Sequence, residues 1–153
     1  MSHPDELIED LGRTFARVSS VTRGASNYEL DVTSEYSPTA REVLAYLRDG
    51  EFMVLRLGME RVLVEDSPTL APFDERLWSK NRRKNRDTLS DLLEDFQMQR
   101  LASLSIMQNL APSDWLREMT QLEIGVVDLL WWVEHWAALD REYIVQLHRL
   151  IPR

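Results

Sequence analysis

The chain has 153 residues, 44% of them hydrophobic and 29% charged, with a formal net charge of −8. That length suits one domain with a substantial core, so residues 1–153 are read as a single domain. The negative excess works against phosphate-backbone binding, which draws its affinity from clustered Lys and Arg, and nucleic acid is excluded as the main partner.

Apolar residues Leu7, Ile8, Leu11, Phe15 and Val18 recur at helical spacing between Pro4 and Val21, and Asp5, Glu6, Glu9 and Asp10 load the first turns, where the helix dipole favours anions. This predicts the first helix. Thr22 to Ser37 is rich in Ser, Thr, Asn and Gly and reads as a long loop with an extended piece at Tyr28 to Val32. Pro38 suits a first helical turn, and Thr39 with Glu42 makes a capping box. The second helix is therefore expected to start here and carry Val43, Leu44, Leu47, Val54, Leu55, Leu57, Val62 and Leu63 inward. It should end near Val64 to Ser67, before Pro68.

The connection from Pro68 to Arg86 is too long for a simple turn, and Phe73 to Trp78 reads as a short helix within it. Its basic run Lys80, Arg82, Arg83, Lys84 and Arg86 reads as a solvated loop beside a helix start. A third helix is expected from Thr88 to Leu110, with Leu89, Leu92, Leu93, Phe96, Leu101, Leu104 and Met107 inward; Pro112 stops it. Ser113 and Asp114 cap a short turn holding Trp115 and Leu116. The fourth helix, Glu123 to Leu150, has the strongest pattern. Leu129, Trp132, Trp136, Tyr143, Leu147 and Leu150 lie three or four residues apart, and Val126, Trp131, Val133, Leu139 and Ile144 widen the stripe enough to touch more than one neighbour. With no convincing strand, the expected fold is an all-α four-helix bundle with a long crossover connection.

Cysteine is absent, which removes disulfides, thiolate nucleophiles and thiolate metal ligands. The acidic amino terminus has no apolar segment of the secretory kind. The most apolar stretch, Ile124 to Val133, contains Asp128 and falls well short of the roughly 20 residues that span a bilayer. No membrane partner and a cytoplasmic location are expected.

Several short signatures, taken in order over nearly the whole chain, resemble the DinB/YfiT family of four-helix bundles. Glu42-Val43-Leu44-Ala45-Tyr46-Leu47-Arg48-Asp49-Gly50-Glu51, continued by Arg56, is similar to the family's second-helix segment. Pro68, Leu70, Pro72, Phe73, Asp74 and Trp78 resemble the connection that follows; Phe96, Arg100, Trp115 and Arg117 resemble the third helix and its exit. Gly125, Leu129 and Leu139-Asp140-Arg141-Glu142-Tyr143-Ile144-Val145-Gln146-Leu147 resemble the last helix. The family is described as metal-dependent hydrolases or thiol-dependent transferases. Its metal-binding members hold a divalent ion with one histidine on the second helix and two, four residues apart, on the last. The resemblance places those positions on Tyr46, Leu139 and Tyr143, which offer no imidazole, so it implies neither a bound metal nor another cofactor.

The three histidines are His3, His135 and His148. His135 reads first as a helix-flanking residue beside Glu134, with the inner cavity as the alternative because it lies one turn before Leu139. His148 suits the helix carboxyl end. Asp49, Glu51, Asp140 and Glu142 read as solvated acids rather than ligands of a hard ion, and no Gly-x-Ser-x-Gly elbow is present. The expected ligand pocket is formed by Tyr46, Tyr143, Leu139, Trp132 and Trp136, with Arg56 and Arg100 near. The alternative is that the two tyrosines simply fill the space, bonding to each other or to a buried Asp. The function expected is a non-catalytic, small-ligand-binding or interaction module, working as a homodimer; the alternative is an altered-site transferase or hydrolase that takes a thiol.

Overall fold

The computed structural model describes residues 3–33, 38–71 and 87–152. Helix α1 (Pro4–Thr22) starts where the His3 side chain accepts from the Asp5 amide, with Pro4 in the first turn. Where an extended piece was expected, a short helix α2 (Asn27–Asp31) forms instead. Its cause is local: Ser26 accepts from the Glu29 amide while Glu29 accepts from the Ser26 amide, a reciprocal cap.

The second long helix runs as α3 (Ala40–Gly50), a π-helical stretch (Glu51–Arg56) and α4 (Leu57–Val64). Thr39 is its cap, accepting from the Glu42 amide, so Pro38 lies just before the helix rather than in its first turn. The π stretch, which sequence periodicity did not reveal, widens the turn by one residue and is a feature found often at functional sites. Helix α5 (Leu89–Gln108) is capped by Thr88, and Pro112 opens a short 3-10 turn (Pro112–Leu116).

Strands were not expected, yet Thr69–Leu70 (β1), Glu118–Gln121 (β2) and Gly125–Asp128 (β3) form a small sheet in the order β1-β2-β3. β1 runs parallel to β2, and β2 pairs antiparallel with β3, Glu118 opposite Asp128 and Gln121 opposite Gly125. Gly125 sits at φ +106°, a conformation L side chains rarely adopt, and the Gln121 side chain accepts from the Glu123 and Ile124 amides to close the hairpin. The last helix, α6 (Leu129–Leu150), therefore starts six residues later than Glu123, where Asp128 caps it by accepting from the Trp131 amide. Three residues expected to face inward are instead exposed: Leu57 on α4, Leu101 on α5 and Val126 on β3. The expected helix at Phe73–Trp78 and the basic run at 80–86 lie outside the described residues.

The four long helical elements make the expected all-α bundle: α1 packs on α5 and α6, and α3 packs on the same two. The core falls into two apolar clusters. One gathers Leu7, Leu11, Met59, Met107 and Trp136; the other gathers Val18, Leu44, Phe96, Tyr143 and Leu147. Each long helical element places a buried polar residue between its contributions to the two clusters. Thr14, Glu51, Arg100 and Asp140 are those residues, all buried, and they form a polar layer across the bundle.

Candidate functional site

The polar layer is a closed network. Arg100 donates from Nε to Glu51 Oε2 at 2.8 Å, and from Nη2 to Glu51 Oε1 and Asp140 Oδ1, both at 2.9 Å. Its Nη1 donates to Asp140 Oδ2 and to the Leu11 carbonyl, both at 2.8 Å. All five guanidinium N–H donors are thus used, the condition under which a buried arginine is tolerated. Thr14 Oγ1 donates to Asp140 Oδ2 at 2.6 Å and Trp136 Nε1 to Glu51 Oε1 at 3.0 Å. The Phe96 ring lies 5.0 Å from the guanidinium carbon. Burial alone favours loss of the Arg100 proton, but the charges of Glu51 and Asp140 outweigh it and hold the group well above its ordinary value.

Glu51 and Asp140 were read as solvated acids; they are only 1% and 4% exposed, because four helices meet at this level. Glu142 is exposed as expected, and Asp49 accepts from Arg48 Nε at 2.8 Å. A signal for the buried pair existed in the sequence. Arg100 lies midway between Phe96 and Leu104, and Asp140 between Trp136 and Tyr143, so both sit on apolar stripes.

Beside this network is a cavity of about 190 Å³ between α3, the π stretch, α6 and the β2–β3 hairpin. Tyr46, Leu139, Tyr143 and Trp132 border it together, with Glu51 and Asp140 also reaching its wall. The two tyrosine rings are 6.3 Å apart between centroids and tilted by 35°. Tyr46 donates to Glu42 Oε2 at 3.4 Å, and Trp132 Nε1 donates to the Leu55 carbonyl at 2.9 Å, which ties the π stretch to the cavity wall. Leu47, Val54, Leu55 and Ile124 make the remaining surface mostly apolar.

The other expected pocket residues lie elsewhere. Trp136 is fully buried behind the cavity, Arg100 is enclosed in the network, and Arg56 donates to the Gln99 carbonyl at 2.9 Å on the α5 side. None of the three borders the cavity. His135, read first as helix-flanking, lies half-buried on the cavity wall, its ring stacked on Trp131 at 5.1 Å. Burial pushes its pKa below the ordinary value, opposed in part by the Glu142 charge. His148 is exposed near the helix end.

As a donor set, Tyr46, Leu139 and Tyr143 do not suit a divalent transition metal: two phenols and a hydrocarbon offer none of the imidazoles such an ion prefers. The nearby carboxylates already have a guanidinium between them. Among the described residues no group of three or more His, Cys, Asp or Glu side chains is arranged to hold a metal ion. Nor is any helix, among the described residues, long and apolar enough to cross a membrane.

No protein-family model matches the chain, and no curated protein matches it. Among solved structures it is similar to YfiT from Bacillus subtilis, described as a probable metal-dependent hydrolase with an unusual four-helix bundle topology. The TM-score is 0.81 at 20% sequence identity, covering 97% of this chain and 89% of that one, a likeness in fold.

Proposed function

We propose that the chain is a small-ligand-binding bundle of the DinB/YfiT kind that works without the family's histidine metal site. The observation that carries this reading is the cavity beside the buried network, bordered by Tyr46, Trp132, Leu139 and Tyr143. An apolar chamber with a few fixed polar groups is the usual form of a small-molecule site. Its size, roughly six times a water molecule's share of the liquid, limits the occupant to a small one. The metal chemistry attributed to YfiT does not carry over to this donor set.

Two measurements test the reading. Metal analysis after refolding with zinc, manganese or nickel should find less than about a tenth of an equivalent bound; a stoichiometric ion would overturn the metal-free reading. In a fragment screen by NMR, ligands should perturb the Trp132 indole resonance and lose that effect when Leu139→Phe fills the chamber. A screen whose hits ignore that substitution would remove the cavity as the site.

One observation favours a second reading, a thiol-dependent transferase or hydrolase with an altered site. His135 is on the cavity wall and burial favours its neutral form, as a general base requires. Turnover of a thiol with an electrophilic substrate that disappears in His135→Gln would support it, and absence of turnover would leave the binding role.

A further inference from the structure

The charges around the cavity select among ligands. In the network, two carboxylates face one guanidinium. All four of their oxygens accept hydrogen bonds, and by formal count two acids stand against one base in a water-poor interior. Both of those carboxylates reach the cavity wall, and Glu123 adds a third acid at its edge. Among the described residues that line the chamber, none is Lys or Arg. His135 does not redress the balance, because burial favours its neutral form.

Against this background an anionic ligand, whether carboxylate, phosphate or thiolate, would meet repulsion with no cation among the described lining residues to offset it. A bare inorganic cation is no better served, since it needs six or more oxygen ligands where this wall is mostly hydrocarbon. Tyr46, Tyr143 and Trp132 line the chamber, and aromatic rings attract a positive group carried on an apolar body. Resting on the ligand-binding reading above, we propose that the cavity takes a small organic cation, an ammonium or amidinium group carried on a hydrophobic body. The charged end would lie toward Glu51 and Asp140 and the body against the aromatic side chains.

The test compares three probes of nearly equal shape, benzylamine, benzyl alcohol and benzoate, titrated into the full chain with NMR detection at the Trp132 indole. Benzylamine should bind about tenfold tighter than benzyl alcohol, with benzoate weakest. Glu123→Gln, a change at an exposed edge position that leaves the core untouched, should weaken benzylamine about twofold and leave benzyl alcohol unchanged. Equal binding of the amine and the alcohol, or preferential binding of benzoate, overturns the cation assignment while the cavity stands as a binding site. No binding of any probe up to roughly 10 mM, a range in which fragments of this size are detected, overturns both readings. Benzylamine binding undiminished in Leu139→Phe would move the site off the cavity and also overturn the proposal.

Discussion

Two regions share walls in the middle of this bundle, one polar and one mostly apolar, and they differ in how completely they are filled. The Glu51–Arg100–Asp140 network uses every donor of its arginine and lies between two apolar clusters. The cavity next to it is bordered by the same two acidic residues but contains open space. The comparison separates two meanings of a buried charge: in the network it fixes how four helices meet, and at the cavity wall it sets which ligand is welcome.

The largest effect should come from breaking the network. Arg100→Met strands two buried carboxylates and should cost about 3–5 kcal/mol in chemical denaturation. Replacing Glu51, Arg100 and Asp140 together by Leu, Met and Leu should cost far less, because no unpaired charge is left behind. If the single and triple variants were equally destabilised, the network would not be the closed unit described. Next in size is Gly58→Ala. A Cβ there would lie 2.7 Å from Trp132 Cζ2 and 3.1 Å from Leu70 Cδ1, and should cost about 1–3 kcal/mol. Since Trp132 is a cavity wall, the indole resonance should shift as well; a silent substitution would show that this contact is loose. Leu139→Phe should cost less than about 1.5 kcal/mol, because the added volume enters open space, yet it should abolish fragment binding.

The smallest effect is one of pH. Burial holds the His135 imidazole of the folded chain below its ordinary value of about 6.5, with the Glu142 charge opposing in part. The unfolded chain therefore takes up the proton first as pH falls, and stability present above pH 6.5 declines through the lower folded pKa. Thermal melts of the native chain should lose more between pH 7 and 5 than those of His135→Gln. Parallel loss in both would assign the acid sensitivity to other groups.

The bundle was legible because Leu7, Leu11 and Val18, or Trp132, Trp136 and Tyr143, repeat at the spacing of a helix face. The hairpin was not, since Val126 and Val127 continue the apolar run of α6 and the strands are too short to show alternation. Tyr46, Leu139 and Tyr143 came to notice through a resemblance, and the structure brings them to one cavity. The network escaped because helical acids are usually solvated. Burial of Glu51 and Asp140 follows from the level at which four separate helices cross, a nonlocal fact. The cavity is harder still, as a void is the mismatch of many side chains and belongs to no single one.

The π stretch has a rotational consequence. Tyr46 and Gly58 are twelve residues apart, and on an unbroken α-helix they would point about 120° from one another. One additional residue absorbed in the wide turn reduces that offset to roughly 20°. The segment thus acts as a phase shifter, allowing one continuous rod to present both its Tyr46 end and its Gly58 end to the same neighbour, α6, which carries Tyr143 and Trp132. Excising one residue between 51 and 56 would remove the wide turn yet keep the two ends in phase, whereas straightening the stretch with no residue removed would swing them apart by about 100°.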